Sequence, residues 1–311
     1  MARSCLGLLH RQCTALSYTL GMSPLFSISL AQWSLHRMIF AGELHPLDFP
    51  RFAKDTFGID AVEFVNRCFK DHYADDDLSY LPELKQRCDD LGVKPLLYMI
   101  DRQGDLGDPD ESQRSQAVNN HRKWLEAVSY LGGHAIRVNA RSEGTREEQA
   151  KLAADGLRRL CEYAEPFGLS VLVENHGGFS SDGAWLAGVM RAVDHPCCGT
   201  LPDFGNFCLD WNRRDDPEAW YDKYRGVEEL MPFARAVSAK SNVFDESGNE
   251  RIIDYERMLR IVLGTGYRGY IGIEFEGEEL SEVDGIRETQ RLLECLRDKL
   301  SPSFEAEAIR G

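Results

Sequence analysis

The chain has 311 residues, a length that suits one large α/β domain or two modest ones and needs no disulfide staples. Hydrophobic residues make up 43% and charged residues 28%, with 27 Gly and 12 Pro, which excludes a disordered, low-complexity or collagen-like chain. Against 36 Lys and Arg stand 51 Asp and Glu, a formal charge of −15; a field of that sign repels nucleic-acid phosphates and anionic lipid, so neither nucleic acid nor membrane is an expected partner.

The first segment in chain order, Met1 to Gly21, carries Arg3 and Arg11 and no acidic residue. His10, Arg11 and Gln12 interrupt its apolar stretch, unlike the continuous core of a secretory signal. Residues 1–22 are read as a disordered or surplus leader, with Met22 as a second start and export as the alternative. Nine cysteines, an odd number with no C-x-x-C pair, read as reduced thiols in a cytoplasmic chain. No apolar run reaches the roughly 18 residues of a membrane span.

From residue 26 to residue 300, apolar runs alternate with helix-period stretches, the pattern of repeated βα units around a parallel sheet. Eight strands are expected, at Phe26–Leu30, Ala61–Val65, Val93–Met99, Ala135–Asn139, Leu169–Val173, Gly199–Leu201, Arg235–Ala239 and Tyr270–Phe275. Apolar residues three and four apart, such as Ala150, Ala153, Leu157, Leu160, Cys161 and Ala164, mark the intervening helices. Gly58, Gly92, Gly132, Gly168 and Gly266 each follow a helical pattern and precede a strand, as left-handed helix stops do. Five similar stops argue for one repeated unit. The expected fold is therefore α/β, a single-domain (β/α)₈ TIM barrel over residues 23–302, with a tail at 303–311. A doubly wound sheet competes, but Ser29-Leu30-Ala31-Gln32-Trp33-Ser34 at the first strand lacks a glycine-rich dinucleotide fingerprint.

In such a barrel the active site lies at the C-terminal ends of the strands. Polar residues collect there: Glu63 and Asn66 on the second unit, Asp101 on the third, and Arg137, Asn139 and Arg141 on the fourth. Glu174, Asp203 and Glu274 close the fifth, sixth and eighth strands. A carboxylate ending a buried strand must be paired, protonated or bound to a cation. Three converging on one mouth call for a divalent ion. The competing explanation is a salt-bridge network with Arg137, Arg141 and Lys240.

The segments Val-Glu-Asn-His-Gly-Gly (173–178), Leu-Pro-Asp-Phe-Gly-Asn-Phe (201–207) and Ile-Glu-Phe-Glu-Gly (273–277) resemble the xylose-isomerase-like TIM-barrel superfamily of sugar-phosphate isomerases and epimerases. The similarity runs from about Ser27 to Leu300. It implies that Glu174 and Glu274 bind a divalent metal and act as acid and base at the substrate carbon, and that Asp203 is a third ligand. Relatives supply a histidine from strand seven in a pattern like Val-His-x-Lys-Asp, where this chain has Val237-Ser238-Ala239-Lys240-Ser241. His176 or His36 could fill the gap from a neighbouring loop, or Lys240 could occupy it as a cation.

The residues expected to face the substrate are His176, Lys240, His36, Trp33, Arg137 and Asn206. Trp33 with His36 suits a sugar ring, and Asn206 with Asn175 is placed to orient the acids. The acidic stretch from Asp71 to Asp77 reads as a solvated loop, and Cys197-Cys198 as rim or core thiols.

The function expected is a divalent-metal-dependent isomerase or epimerase that removes a proton next to the carbonyl of a small sugar or other hydroxy-carbonyl compound. Mg²⁺ or Mn²⁺ is favoured by the oxygen-rich site, with Co²⁺ as a further option. Alternatives are a lyase or dehydratase acting on a keto-sugar or keto-inositol, and a non-catalytic sugar-binding or partner subunit. The loop Glu276-Gly277-Glu278-Glu279 would repel a phosphate where barrels usually grip one, so an unphosphorylated sugar, polyol or keto-acid is expected. The sequence leaves the oligomeric state open, a homodimer being one option.

Overall fold

A computed structural model describes residues 24–308 except 75 and 76, and backbone only for residues 305–308. Residues 1–22, with the expected leader, lie outside or before the described residues, as do two residues of the acidic stretch. Eight strands form one parallel sheet in the order β6-β5-β4-β3-β2-β1-β8-β7. They are β1 (Ser27–Ala31), β2 (Ala61–Val65), β3 (Lys94–Met99), β4 (Ala135–Val138), β5 (Ser170–Glu174), β6 (Cys198–Leu201), β7 (Val237–Ser241) and β8 (Tyr270–Phe275). Apolar residues fill both faces, as a sheet covered on each side demands; Leu30, Val62, Phe64, Tyr98, Ile136, Val171, Leu172 and Ile273 are fully buried.

The remaining seam, β6 against β7, closes through isolated parallel bridges, Thr200 with Ala234 and Asp203 with Ser238. The amides of Ser238 and Phe204 donate to the carbonyls of Pro202 and Ser238 at 2.9 and 3.1 Å. The sheet thus curls into the expected (β/α)₈ barrel.

Strand β7 begins two residues later than the sequence pattern suggests. Arg235 still belongs to the approach, its guanidinium donating to Ser170 Oγ at 2.8 Å, so the strand runs on through Lys240 and Ser241. Strand β5 likewise includes Glu174.

Nine helices stand between and after the strands among the described residues: α1 (His36–Phe40), α2 (Phe49–Phe57), α3 (Leu81–Leu91), α4 (Glu111–Leu131), α5 (Arg146–Ala164), α6 (Gly183–Val193), α7 (Lys223–Leu230), α8 (Tyr255–Gly264) and α9 (Glu282–Ala308). Their buried stripes follow the helical period, as with Ala153, Leu157, Leu160, Cys161 and Ala164 on α5. Thr145 and Glu148 cap that helix reciprocally. All five expected glycine stops have positive φ, between 62° and 85°; at Gly92 the left-handed turn lets its amide bond back to α3 before β3 begins. The last helix continues to Ala308 through Pro302, past the residue where the barrel was expected to end.

A candidate active site at the barrel mouth

The strand ends bring Glu174, Asp203 and Glu274 together. Each is buried, and each offers one carboxylate oxygen, the three lying within 4.8 Å of one another. Their positions are set by different devices. Glu174 Oε1 accepts from Asn206 Nδ2 at 2.9 Å. Asp203 Oδ1 accepts the amides of Gly205 and Asn206 at 2.8 and 2.7 Å, while Oδ2 accepts Ser238 Oγ at 2.7 Å. Asn175 fixes that loop from beneath, accepting the Asp203 amide at 2.8 Å and donating to the carbonyls of Asp203 and Asn206. Ser238, where the resemblance led us to expect a histidine, is therefore spent on orienting Asp203.

Two cations offset the three acids. Lys240 Nζ donates to Glu274 Oε1 at 2.6 Å and to Glu276 Oε2 at 2.9 Å, and lies 3.9 Å from Asp203 Oδ2. Asp245, which could have drawn Lys240 to the rim, instead accepts amides of its own turn. Arg137 donates from Nη1 to Asp101 Oδ1 at 2.8 Å. Its Nε stands 2.8 Å from Glu174 Oε2, an ion pair whose angle makes no hydrogen bond.

Burial pushes Glu174 up to about 7, Arg137 opposing this and Glu274 adding to it. Burial also pushes Asp203 up to about 7, against Lys240 and with Glu174 and Glu274. Burial would lower Lys240, but Glu274, Asp203 and Glu276 hold it well above the ordinary lysine range. Burial disfavours a charged Asp101, yet Arg137 keeps that carboxyl well below its ordinary value. The cluster is short of positive charge at Glu174 and Asp203.

Below it lies a fourth acid, Glu63 of β2, which accepts Ser29 Oγ at 2.7 Å and is pushed up to about 7 mainly by burial. Gly272 makes room for it: a Cβ there would come within 2.5 Å of Glu63 Oε1.

The donor set fits a hard divalent cation. Glu174 Oε2 and Glu274 Oε2 are buried without a hydrogen-bond partner among the described residues, as is His176 Nδ1, and all three carboxylates offer oxygen. His176 is held neutral, its pKa lowered by burial, Arg137 and Lys240, the state in which imidazole can ligate.

A cavity of about 310 Å³ opens over this cluster. Trp33, Arg137, His176, Glu274 and Glu276 line it; Glu174, Asp203 and Lys240, at 1%, 0% and 4% exposed, lie behind that lining. Of the remaining sequence candidates, Asn206 bonds Glu174 instead of facing the cavity. His36 stands outside the lining as well, stacked on Trp33 with ring centroids 4.7 Å apart and 3.5 Å from Glu282.

Two participants went unassigned in the sequence. Glu276, two residues beyond Glu274, accepts from both Lys240 and Trp33 Nε1; its spacing was the available signal. Arg67, beyond β2, sets its guanidinium 5.1 Å from the Trp33 ring centroid, a contact no local pattern announces.

Comparisons with known proteins match this fold. A curated relative, the C-glycoside deglycosidase alpha subunit of Arthrobacter globiformis, is 40% identical over 73 residues, 22% of this chain. This chain spans about a fifth of that relative's length, 19%. The fold is shared with 3-keto-D-glucoside 4-epimerase from E. coli, at TM-score 0.65 and 16% identity over 87% of this chain and 99% of that one. It is shared also with an L-ribulose 3-epimerase, at TM-score 0.65 and 14% identity over 92% and 98%. The IOLI protein, whose structure holds a zinc atom, aligns at TM-score 0.65 and 15% identity over 88% and 99%. The xylose isomerase-like TIM barrel family model matches residues 50–299, and the chain belongs to that family.

Proposed function

We propose that the protein is a sugar isomerase or epimerase that removes and returns a proton at a carbon next to a carbonyl. The observation that carries this reading is the buried triad of Glu174, Asp203 and Glu274, in which one oxygen of each glutamate accepts no hydrogen bond. Epimerase activity in the neighbours of the same fold supports it. Two carboxylates on one site can share the work: one takes the proton, the other delivers it to the opposite face or the adjacent carbon.

Glu174, Asp203 and Glu274 would hold a divalent ion, Mg²⁺ or Mn²⁺ by their oxygen donors, and such an ion stabilises negative charge on a carbonyl oxygen. Lys240 supplies fixed positive charge beside Glu274, and Trp33 lines the cavity in which the sugar would lie. The substrate is then a small sugar or polyol-derived ketone.

A second reading follows from the match to the C-glycoside deglycosidase alpha subunit. If the carbon beside the one deprotonated carries a leaving group, the same proton abstraction ends in elimination, and the enzyme is a lyase. The test is to incubate metal-supplemented protein with ketohexoses and a 3-keto-glucoside in D₂O. Solvent deuterium entering next to the carbonyl, with a new epimer or isomer, supports the first reading, and a released substituent supports the second. Correctly folded, metal-loaded protein that exchanges no carbon-bound proton in any of these compounds would overturn both.

A further inference from the structure

His121 stands in the wall of the barrel-mouth cavity, although it belongs to the outer helix α4 and the proton-transfer cluster does not use it. The loop after β3 makes this reach possible. Gly104, at φ 94°, sits so closely on α4 that a Cβ there would come within 2.9 Å of Ala117 Cβ. Asn120 Nδ2 ties the same loop down, donating to the Gln103 carbonyl at 3.0 Å. One turn on from Ala117, His121 is 3% exposed, and what is open of its ring opens on the cavity.

The fold fixes the chemistry of its two nitrogens. Nδ1 lies 2.7 Å from the Ala117 carbonyl, and a carbonyl oxygen only accepts, so Nδ1 carries the hydrogen. Burial lowers the imidazole to about 4, which leaves the ring neutral and Nε2 a bare acceptor. No described residue bonds Nε2, so whatever donates to it enters from the cavity. A second acceptor belongs to the same wall. Asn139 Nδ2 donates to Asp101 Oδ1 at 2.9 Å, and Arg137 keeps Asp101 ionised, so the amide cannot turn round. Its Oδ1 is left buried with no partner among the described residues, and such an acceptor calls for a donor.

Strand order sets this wall across the mouth from Glu274. In the closed barrel β4 and β8 are four strands apart in either direction; α4 leads into β4, and Glu274 is on β8. The geometry points to His121 as a substrate-binding residue: its Nε2 accepts a hydrogen bond from a sugar hydroxyl remote from the carbonyl. This rests on the sugar reading above and adds how the far end of the sugar is recognised. A hydroxyl there is taken in preference to a hydrogen, a fluorine or an ether oxygen, none of which can donate.

The experiment takes whichever of D-fructose, D-tagatose and methyl 3-keto-glucoside exchanges deuterium fastest with metal-supplemented protein. It is compared with analogues each lacking one hydroxyl away from the carbonyl, in the wild type, His121→Phe and His121→Gln. At one position the wild type should lose about tenfold in kcat/KM, mostly through KM. That loss should vanish in His121→Phe, which keeps a ring without either nitrogen, and persist in His121→Gln, whose amide oxygen accepts. Losses identical in wild type and His121→Phe at every position overturn the proposal and leave the sugar reading standing. Absence of exchange with all three parent sugars overturns that reading, and this proposal with it. Nitrogen NMR of the wild-type imidazole needs no variant: a hydrogen on Nδ1 and a bare Nε2 are expected at pH 7, with the Nε2 resonance moving on saturation with the parent sugar. A hydrogen on Nε2, or a resonance the sugar does not move, overturns the proposal even if His121→Phe does not fold.

Discussion

Lys240 and Glu274 are register partners on adjacent strands β7 and β8, and the ammonium of one donates to the carboxylate of the other at 2.6 Å. Paired positions on neighbouring strands present their side chains to the same face, so the backbone itself imposes this ion pair. Lys240→Met keeps most of the stem volume and deletes the charge, leaving Glu274 and Asp203 without their nearby cation. Turnover is expected to fall by two orders of magnitude or more. Stability should fall by about 3 kcal/mol, as for other broken buried pairs. Steady-state kinetics and urea unfolding measure the two effects; near-normal turnover would remove Lys240 from the mechanism.

Glu174→Gln and Glu274→Gln should each lower turnover by roughly 10²–10⁴, the usual range for loss of a positioned acid or base. They should differ in exchange. The variant lacking the base for a given substrate epimer loses deuterium wash-in from solvent. The variant lacking only the returning acid retains it. Proton NMR in D₂O run from each epimer makes the assignment, and identical behaviour of the two variants from both directions would refute the two-carboxylate division.

Ser238 spends its hydroxyl on Asp203 Oδ2, and the oxygen donors favour hard ions. Ser238→His adds a nitrogen donor beside Asp203 and should shift preference from Mg²⁺ toward Zn²⁺. Metal content after dialysis against equimolar ions, read by elemental analysis, tests this. Chelation of the wild type should abolish exchange and restore it on adding Mn²⁺.

The loop beyond β8 offers no welcome to a phosphate. Glu276 already engages Lys240 and Trp33, and Glu278 and Glu279 are exposed. An unphosphorylated substrate should therefore have the higher kcat/KM when compared with its phosphate ester. A large preference for the ester would transfer anion binding to the arginines lining the cavity, Arg67, Arg102, Arg137 and Arg141.

His121 of α4 is buried, its Nδ1 2.7 Å from the Ala117 carbonyl, and burial lowers its pKa from 6.5 to about 4. The native protein holds it neutral while the unfolded chain protonates. The unfolded state then binds more protons as the pH falls below 6.5, and stability declines from that point until about pH 4, where the effect levels off. The full contribution, present above pH 6.5, is on the order of 3 kcal/mol. His121→Gln should flatten this part of the stability–pH curve measured by denaturant unfolding; an unchanged slope would assign the acid sensitivity elsewhere.

The strands were legible because buried parallel strands are continuous apolar runs, and β2 and β8 coincide with the runs that mark them. The carboxylates were legible because an acid at the end of such a run must be paired, protonated or bound to a cation. Strand β7 slipped by two residues because its run, Arg235 to Ser241, carries polar residues at both ends, and its register is set by pairing with β8, which local sequence does not announce. Helix α1, five residues long, is too short to show a period. The contact of Arg67 with Trp33 was hidden for another reason: the two arrive from different βα units, and proximity across that distance leaves no trace in local spacing.

The junction between β6 and β7 is held by isolated bridges rather than by a continuous ladder, and one of those bridges is Asp203 with Ser238. The weakest stitch of the barrel wall is therefore also a wall of the reaction chamber. Any ligand that grips Asp203 on one side and Glu274 on the other spans this stitch, and its binding energy is added to that of closing the barrel. Amides near the junction, such as those of Phe204 and Ser238, should then exchange with solvent fastest in the empty protein and slow most on loading. In this barrel, filling the site and fastening the wall are one event.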